Sequence, residues 1–149
     1  MKLILIFLIS SMCMAQTYVE TRGGAILNEF GGNITVGFTQ HVDDVVVSGL
    51  FNGYTIGYES FDSYDVEVGY LMGNHEGLSI YPVLGVGWDN NRSWTDFKDK
   101  VALFGGVSLM VDVEGHKMMV GYRNRGYLST LFIGIKLRFR PSKQKHRFF

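Results

Sequence analysis

Charged side chains fall on alternate positions in segments that are otherwise apolar: Glu20 and Arg22, Asp65 and Glu67, Lys136 and Arg138, with Asp112, Lys117 and Arg123 similarly placed. In an extended chain successive side chains point to opposite faces, so each such pair shares one face of a strand. Both signs are represented. Groups of this kind facing a narrow enclosed space must pair or accept hydrogen bonds, because an uncompensated buried charge is very costly. The chemistry they offer is a network of ion pairs filling an interior, or, if the interior stays open, a path for ions or small solutes. The network is the expectation here.

Other residues invite chemical readings and fail them. Of the four histidines, His41, His75 and His116 fall near short turns and His146 near the end of the chain. No His-x-His or His-x-x-x-His spacing occurs, and Asp43, Asp44, Glu76 and Glu114 beside them are ordinary turn residues, so no metal site and no cofactor is expected. Nucleophilic catalysis needs a nucleophile beside a base. Ser60, Ser63 and Ser93 map to the opposite end from the histidines once the strands are laid out, so no catalytic residues are expected. The segment 89–100 carries Arg92, Trp94 and Phe97, side chains of the type that anchor interfaces. A surface-recognition loop over 89–98 is therefore expected, with Trp88 and Trp94 also suited to an aromatic girdle at lipid headgroup level. No nucleic-acid motif is present.

The elements that must position these residues are strands. Eight alternating segments are expected at about 17–24, 33–42, 45–60, 64–73, 78–88, 99–113, 116–123 and 128–139. The last one is the clearest: Leu131, Ile133, Ile135, Leu137 and Phe139 share one face, while Gly134, Lys136 and Arg138 share the other. In the second, Ile34, Val36 and Phe38 oppose Thr35, Gly37 and Thr39; in the fourth, Tyr64, Val66, Val68, Tyr70 and Met72 oppose Asp65, Glu67 and Gly69. The third is taken as continuous through Asn52-Gly53, with Val46, Leu50, Tyr54, Ile56 and Tyr58 on its outward face. Gly37, Gly49, Gly53, Gly57, Gly69, Gly85, Gly87, Gly106, Gly121 and Gly134 are placed on the polar face, and Gly105 on the other. Pro82 cannot donate a ladder hydrogen bond, so a bulge or break is expected there.

The chain has 149 residues, equal numbers of basic and acidic side chains, and one cysteine, Cys13. Lys2 followed by the apolar run 3–9 and by Ala15-Gln16 has the layout of a cleavable export signal over residues 1–15, too short to span a bilayer. Cleavage after Ala15 removes Cys13, which excludes disulfide and thiol chemistry in the remainder. Met12 before Cys13 speaks against a lipid-anchored cysteine. Residues 16–139 then form one β-barrel domain, and 140–149 a basic tail containing Arg140, Lys143, Lys145 and Arg147.

An exported chain of eight alternating segments resembles the small outer-membrane barrels of the OmpA and OmpX kind, and Met14-Ala15-Gln16 is similar to the processing site of exported Bacteroidetes proteins. Gly134, Leu137 and Phe139 resemble the terminal signal that such proteins present to the barrel-assembly machinery. The tail 140–149 departs from that pattern, since many such barrels stop at the terminal aromatic. The resemblance implies an all-β, eight-stranded antiparallel up-and-down transmembrane β-barrel. It would be a monomer in outer-membrane lipid, with a structural, adhesive or surface-interaction role and a lumen plugged by charge. Two rival readings stand beside it. A secreted, soluble lipocalin-like barrel would bind a small apolar ligand and reverse the two faces. A lipid-modifying outer-membrane enzyme would need a serine and a histidine together.

Overall fold

The computed structural model describes residues 16–75, 77–90, 101–126 and 128–139. Their backbone forms β1 (Gln16–Ile26), β2 (Gly31–Val42), β3 (Val45–Ile56), β4 (Glu59–Tyr70), β5 (Met72–His75), β6 (Leu78–Asn90), β7 (Val101–Val113), β8 (His116–Arg125) and β9 (Leu128–Arg138). Every pairing is antiparallel and between chain neighbours, except that β4 pairs with β6 beyond the short β5 and β1 also pairs with β9. That last pairing closes the sheet. The short β5 continues the line of β4 along β6, so the barrel has eight staves and no open edge. The leader 1–15, the basic tail 140–149 and the loop residues Arg92, Trp94 and Phe97 lie outside the described residues.

Alternation decides which way each strand faces. On β9, Ile133 is 69% exposed, whereas Lys136 is fully buried, and Leu131, Ile135 and Leu137 share the outward face with Ile133. The outward series expected on β2 and β4 also face out, Ile34, Val36 and Phe38 and Tyr64, Val66 and Val68, and so do Val107, Leu109 and Val111 of β7 and Met118, Val120 and Tyr122 of β8. A soluble lipocalin-like barrel would need the opposite arrangement, so that reading is set aside.

The third strand differs from the expectation in both its face and its end. Val46, Leu50, Tyr54 and Ile56 point inward and are buried, while Val45, Val47 and Phe51 point outward. Both parities of this segment contain large apolar residues, so alternation alone does not choose between them, and a slip of one residue exchanges the faces. Hydrogen bonding chooses. With Ser48 and Asn52 turned inward, Ser48 meets Thr39 at 2.9 Å and Asn52 accepts from Thr35 at 2.6 Å. Turned outward, these polar groups would face an apolar surface. Gly49 and Gly53 consequently lie on the outer wall. Gly57 is no longer in a strand, and its φ of 59° makes it part of the β3–β4 turn with Tyr58. That turn replaces the one expected at 61–63.

Pro82 acts on its neighbour. Its pairing with Val107 of β7 is regular, and the break falls across the other ladder at Leu71, between β4 and β5. Gly69 pairs with Val83 and Met72 with Ile80, so the interruption sits opposite the proline, which has no N–H to offer. On its other side Leu71 N–H bonds to Asp44 O at 2.8 Å, one step beyond the Val45–Tyr70 pair of the β3–β4 ladder.

The inward glycines make room. A Cβ on Gly85 would run into the Phe104 ring and lie 2.6 Å from Val66 O, whereas one on the outward Gly49 would meet nothing within 4 Å. Gly85→Ala is therefore expected to cost on the order of 1–3 kcal/mol, as overpacking does. Gly49→Ala should stay within about 0.5 kcal/mol of the parent. Urea unfolding in phospholipid vesicles, followed by tryptophan emission, measures both. Equal losses would contradict the outward placement of Gly49.

Candidate functional site: the charged interior

The barrel interior is layered along its axis. At the end where β1 begins and β9 finishes, Tyr18 donates to Gln16 at 2.9 Å, and the His41 ring lies against Tyr18 with centroids 4.6 Å apart. An apolar cluster of Val46, Tyr81, Val83, Met110, Met119 and Phe132 packs across the lumen in this half. Lys136 joins it to the charges: its Nζ lies 4.6 Å from the centre of the Tyr81 ring and 3.4 Å from Glu20 Oε2. Glu20 and Lys136 are also direct cross-strand partners of β1 and β9.

The middle layer is a chain of ion pairs across four strands. Arg22 bonds Glu20 on its own strand and Glu67 of β4; Arg123 of β8 also bonds Glu67 and reaches Asp65 at 3.1 Å. Arg125 continues the chain to Asp65 at 2.8 Å and to Asp89 of β6 at 2.6 Å. Hydroxyls complete the carboxylates, with Thr39 donating to Glu20 and Ser63 to Asp65. The guanidinium faces also stack on rings: Arg22 lies 4.9 Å from the centre of Phe132 and Arg123 4.3 Å from that of Phe104. Each of the four carboxylates Glu20, Asp65, Glu67 and Asp89 touches at least one of the four cations Arg22, Arg123, Arg125 and Lys136. The charges balance.

Above this network lies a second apolar cluster, Ile26, Tyr54, Ile56, Phe61 and Leu128, in which Tyr54 and Phe61 stack at 4.8 Å. The charged layer is thus sandwiched between two oily ones.

Six of the side chains singled out from the sequence meet in this network: Glu20, Arg22, Asp65, Glu67, Arg123 and Lys136. Asp112, Lys117 and Arg138 do not. Asp112 has a side chain 41% exposed and pairs with Lys117 at 3.0 Å at the rim, where it also accepts Gly115 N–H. Arg138 ends β9 and is half-buried there, its backbone N–H donating to His116 Nδ1 at 3.2 Å. Alternation assigned these three a face correctly, but their height along the axis puts them at the mouth. Sequence reasoning missed Arg125 and Asp89. Arg125 shares the parity of Arg123 and Asp89 that of Gly87, so extending β8 and β6 by one pair of residues would have found both.

Ser63 is committed to Asp65, and His41 and His116 sit at the other end of the barrel, so among the described residues no serine and histidine come together near Asp65. Gly134 faces inward: a Cβ there would lie 2.9 Å from both Arg22 Cγ and Thr21 O. Leu137 and Phe139 face outward, and Phe139 N–H bonds to Thr17 O at 2.9 Å.

No protein-family model matches the sequence, and neither does any curated protein. Solved structures do share its shape. A de novo designed transmembrane β-barrel superimposes with a TM-score of 0.67 at 17% identity, covering 83% of this chain and 95% of the design. The N-terminal β-barrel domain of Pseudomonas aeruginosa OprF gives 0.62 at 16% identity, over 84% of this chain and 99% of that one. Ail, the attachment invasion locus protein of Yersinia pestis, gives 0.58 at 17% identity, over 84% and 99%. At these identities what is shared is the fold, an eight-stranded antiparallel barrel of the kind that crosses membranes.

Proposed function

We propose that this chain is a monomeric outer-membrane β-barrel with a closed lumen and a structural or adhesive role at the cell surface. The observation that carries the reading is the inversion of a soluble protein's polarity: a continuous apolar exterior surrounds an interior of paired charges. Such a surface is stable in hydrocarbon and a liability in water. Strand length agrees, since a tilted strand needs about 9–11 residues to cross a bilayer and the staves here run from 10 residues in β8 to 13 in β6 and β7. Tyr64 is the cross-strand partner of both Phe51 and Trp88 on the exterior, and the three supply a girdle at one edge of the apolar band. The leader over 1–15 supports export, and the terminal strand with Gly134, Leu137 and Phe139 supports recognition by the assembly machinery. Attachment, named for Ail, supports the adhesive reading, with Arg92, Trp94 and Phe97 as its recognition residues. No enzymatic role is proposed.

Closure of the lumen is argued from its three layers. A hydrated path would have to cross two apolar clusters and displace the ion pairs between them. In planar bilayers the purified protein is expected to give no steady single-channel openings, and large sustained ones would defeat the plugged reading. Location is checked by fractionation: the protein should require detergent for extraction and show the heat-dependent gel mobility of a folded barrel. Recovery in soluble periplasm would overturn it.

The network should also be needed for stability. Glu67→Ala leaves Arg22 and Arg123 without a shared partner, and removing one member of a buried ion pair costs roughly 3–5 kcal/mol. Lys117→Ala breaks a rim pair and should cost less than about 1 kcal/mol. Urea midpoints in vesicles give both values. Indistinguishable losses would mean that the interior pairs contribute no more than the exposed one.

A further inference from the structure

The mouth of the barrel where β1 begins and β9 finishes carries more positive charge than its carboxylates answer. In the middle layer the four cations and four carboxylates balance. Of the other inward charges among the described residues, Lys117 and Arg138 face Asp112 alone. Lys117, its side chain only 15% exposed, holds Asp112 at 3.0 Å, and Arg138 makes no ion pair among the described residues. One positive charge is left over. The acids of the adjoining turns do not cancel it: Asp44 accepts from Tyr70 at 3.3 Å on the outer wall, and Asp43 and Glu114 sit on exposed turns, where water screens them.

Register gathers the cations and does not spread them. Lys117 of β8 and Lys136 of β9 are direct cross-strand partners on the inner face, and Arg138 follows Lys136 by two residues on that face. Like charges in such positions repel. Next around the wall, Arg138 is the partner of Tyr18 on β1, whose ring packs against His41 of β2. The charges that act on His41 are those of Lys136 and Lys117, both positive. Four consecutive staves thus turn Lys117, Lys136, Arg138 and His41 toward one stretch of a lumen just wide enough for side chains to fill.

Two of these groups are buried with hydrogen-bonding capacity unused. Lys136 is fully buried, and its Nζ has no hydrogen-bond partner among the described residues: Glu20 Oε2, 3.4 Å away, lies outside bonding geometry and already accepts from Thr39. His41 is 6% exposed, and its Nε2 is likewise without a partner there. Buried polar atoms ordinarily have one, so the two mark a place where a partner binds.

We infer that this mouth binds a small oxyanion of the phosphate class, held by Lys117 and Arg138 at the rim over a floor of His41 and Lys136. Every group offered is a cation or can present an N–H, and charge-assisted bonds from such donors to phosphate oxygens are the strong ones. A single negative charge cancels the surplus and relieves the repulsion between Lys117 and Lys136. A cation would add to that repulsion, and an apolar ligand would leave it standing. Free phosphate and the phosphate of a lipid headgroup share this chemistry. The inference needs only the closed barrel, so it is tested apart from the outer-membrane and adhesive reading.

The full chain is refolded in dodecyl maltoside, whose headgroup has no phosphate, and titrated with sodium phosphate at fixed pH and ionic strength. The imidazole resonances of His41, assigned by their loss in His41→Gln, are followed by NMR. A saturable shift is expected. Binding should weaken by about tenfold or more in Arg138→Gln and in Lys117→Gln, the loss of one bond to a charged group. It should tighten in Asp112→Asn, which removes the competing carboxylate, and stay unchanged in Lys143→Gln with Lys145→Gln, which thins the basic tail. Heat-dependent gel mobility verifies folding, and either rim variant serves if the other does not fold. In phosphatidylcholine nanodiscs without added phosphate, a His41 resonance at its free position assigns the site to soluble phosphate, and one at its bound position to the lipid phosphate. No shift, a shift that never saturates, or one lost in the tail variant and kept in both rim variants would overturn the site.

Discussion

Closure of the sheet is the constraint on which the rest of this structure depends. Each of the eight staves has two neighbours, so backbone N–H and C=O groups along them are spent on one another and the sheet is closed. A hydrocarbon solvent offers no substitute partner, which is why a spanning strand assembly must close. The one residue that cannot comply is Pro82. Its deficit is absorbed where the sheet can bear it, at the β4–β5 interruption near the terminal rim. The β3–β4 ladder runs on undisturbed there, with Leu71 N–H bonded to Asp44 O.

Closing so few staves leaves an axis too narrow for the side chains that point into it unless some of them are absent. The inward glycines and the large interior residues are therefore one device. Gly69 lies against Tyr81, Gly85 against Phe104, Gly121 against Phe132 and Gly87 against Arg125, each a place where a Cβ would collide with its neighbour. The rings freed in this way stack on the guanidinium groups of Arg22 and Arg123, and the same space lets long arginines lie across the lumen to carboxylates on other strands. Size relief and charge pairing support each other: without the glycines the arginines would not fit, and without the carboxylates they could not stay buried.

How much of this was legible in the sequence follows from what alternation measures. Where one parity is apolar through the middle of the strand and the other carries mainly small, polar or charged residues, as in β2, β4, β8 and β9, the two faces could be read directly, although Met119 and Phe132 turn inward among the polar series. In β3 both parities carry large apolar side chains, Val45, Val47 and Phe51 on one and Val46, Leu50 and Tyr54 on the other. The deciding groups there are Ser48 and Asn52, whose partners Thr39 and Thr35 lie on a neighbouring strand. Register across strands is a property of the folded sheet, so a reading confined to one segment could not use it. The same holds for the β3–β4 turn, where a glycine that continues the alternation turns out to need a positive φ.

Height along the axis was a second quantity that alternation does not carry. Asp112, Lys117 and Arg138 share the inward parity with Glu20 and Lys136, yet they lie within a pair or two of the end of their strands. There solvent reaches them and a single salt bridge is enough. Arg125 and Asp89 also lie near strand ends, at the opposite rim, and are buried nonetheless, because Tyr54 and Phe104 flank Arg125 and the cluster around Tyr54 closes the lumen beside it. The two rims therefore differ: one is capped by a layer of apolar side chains over its outermost ion pair, and the other leaves its outermost ion pair in water. Since the burial of a charge depends on what lies above it on other strands, this asymmetry belongs to the assembled barrel, and it places the sealed end opposite the start of β1 and the end of β9, beside the β1–β2 and β3–β4 turns.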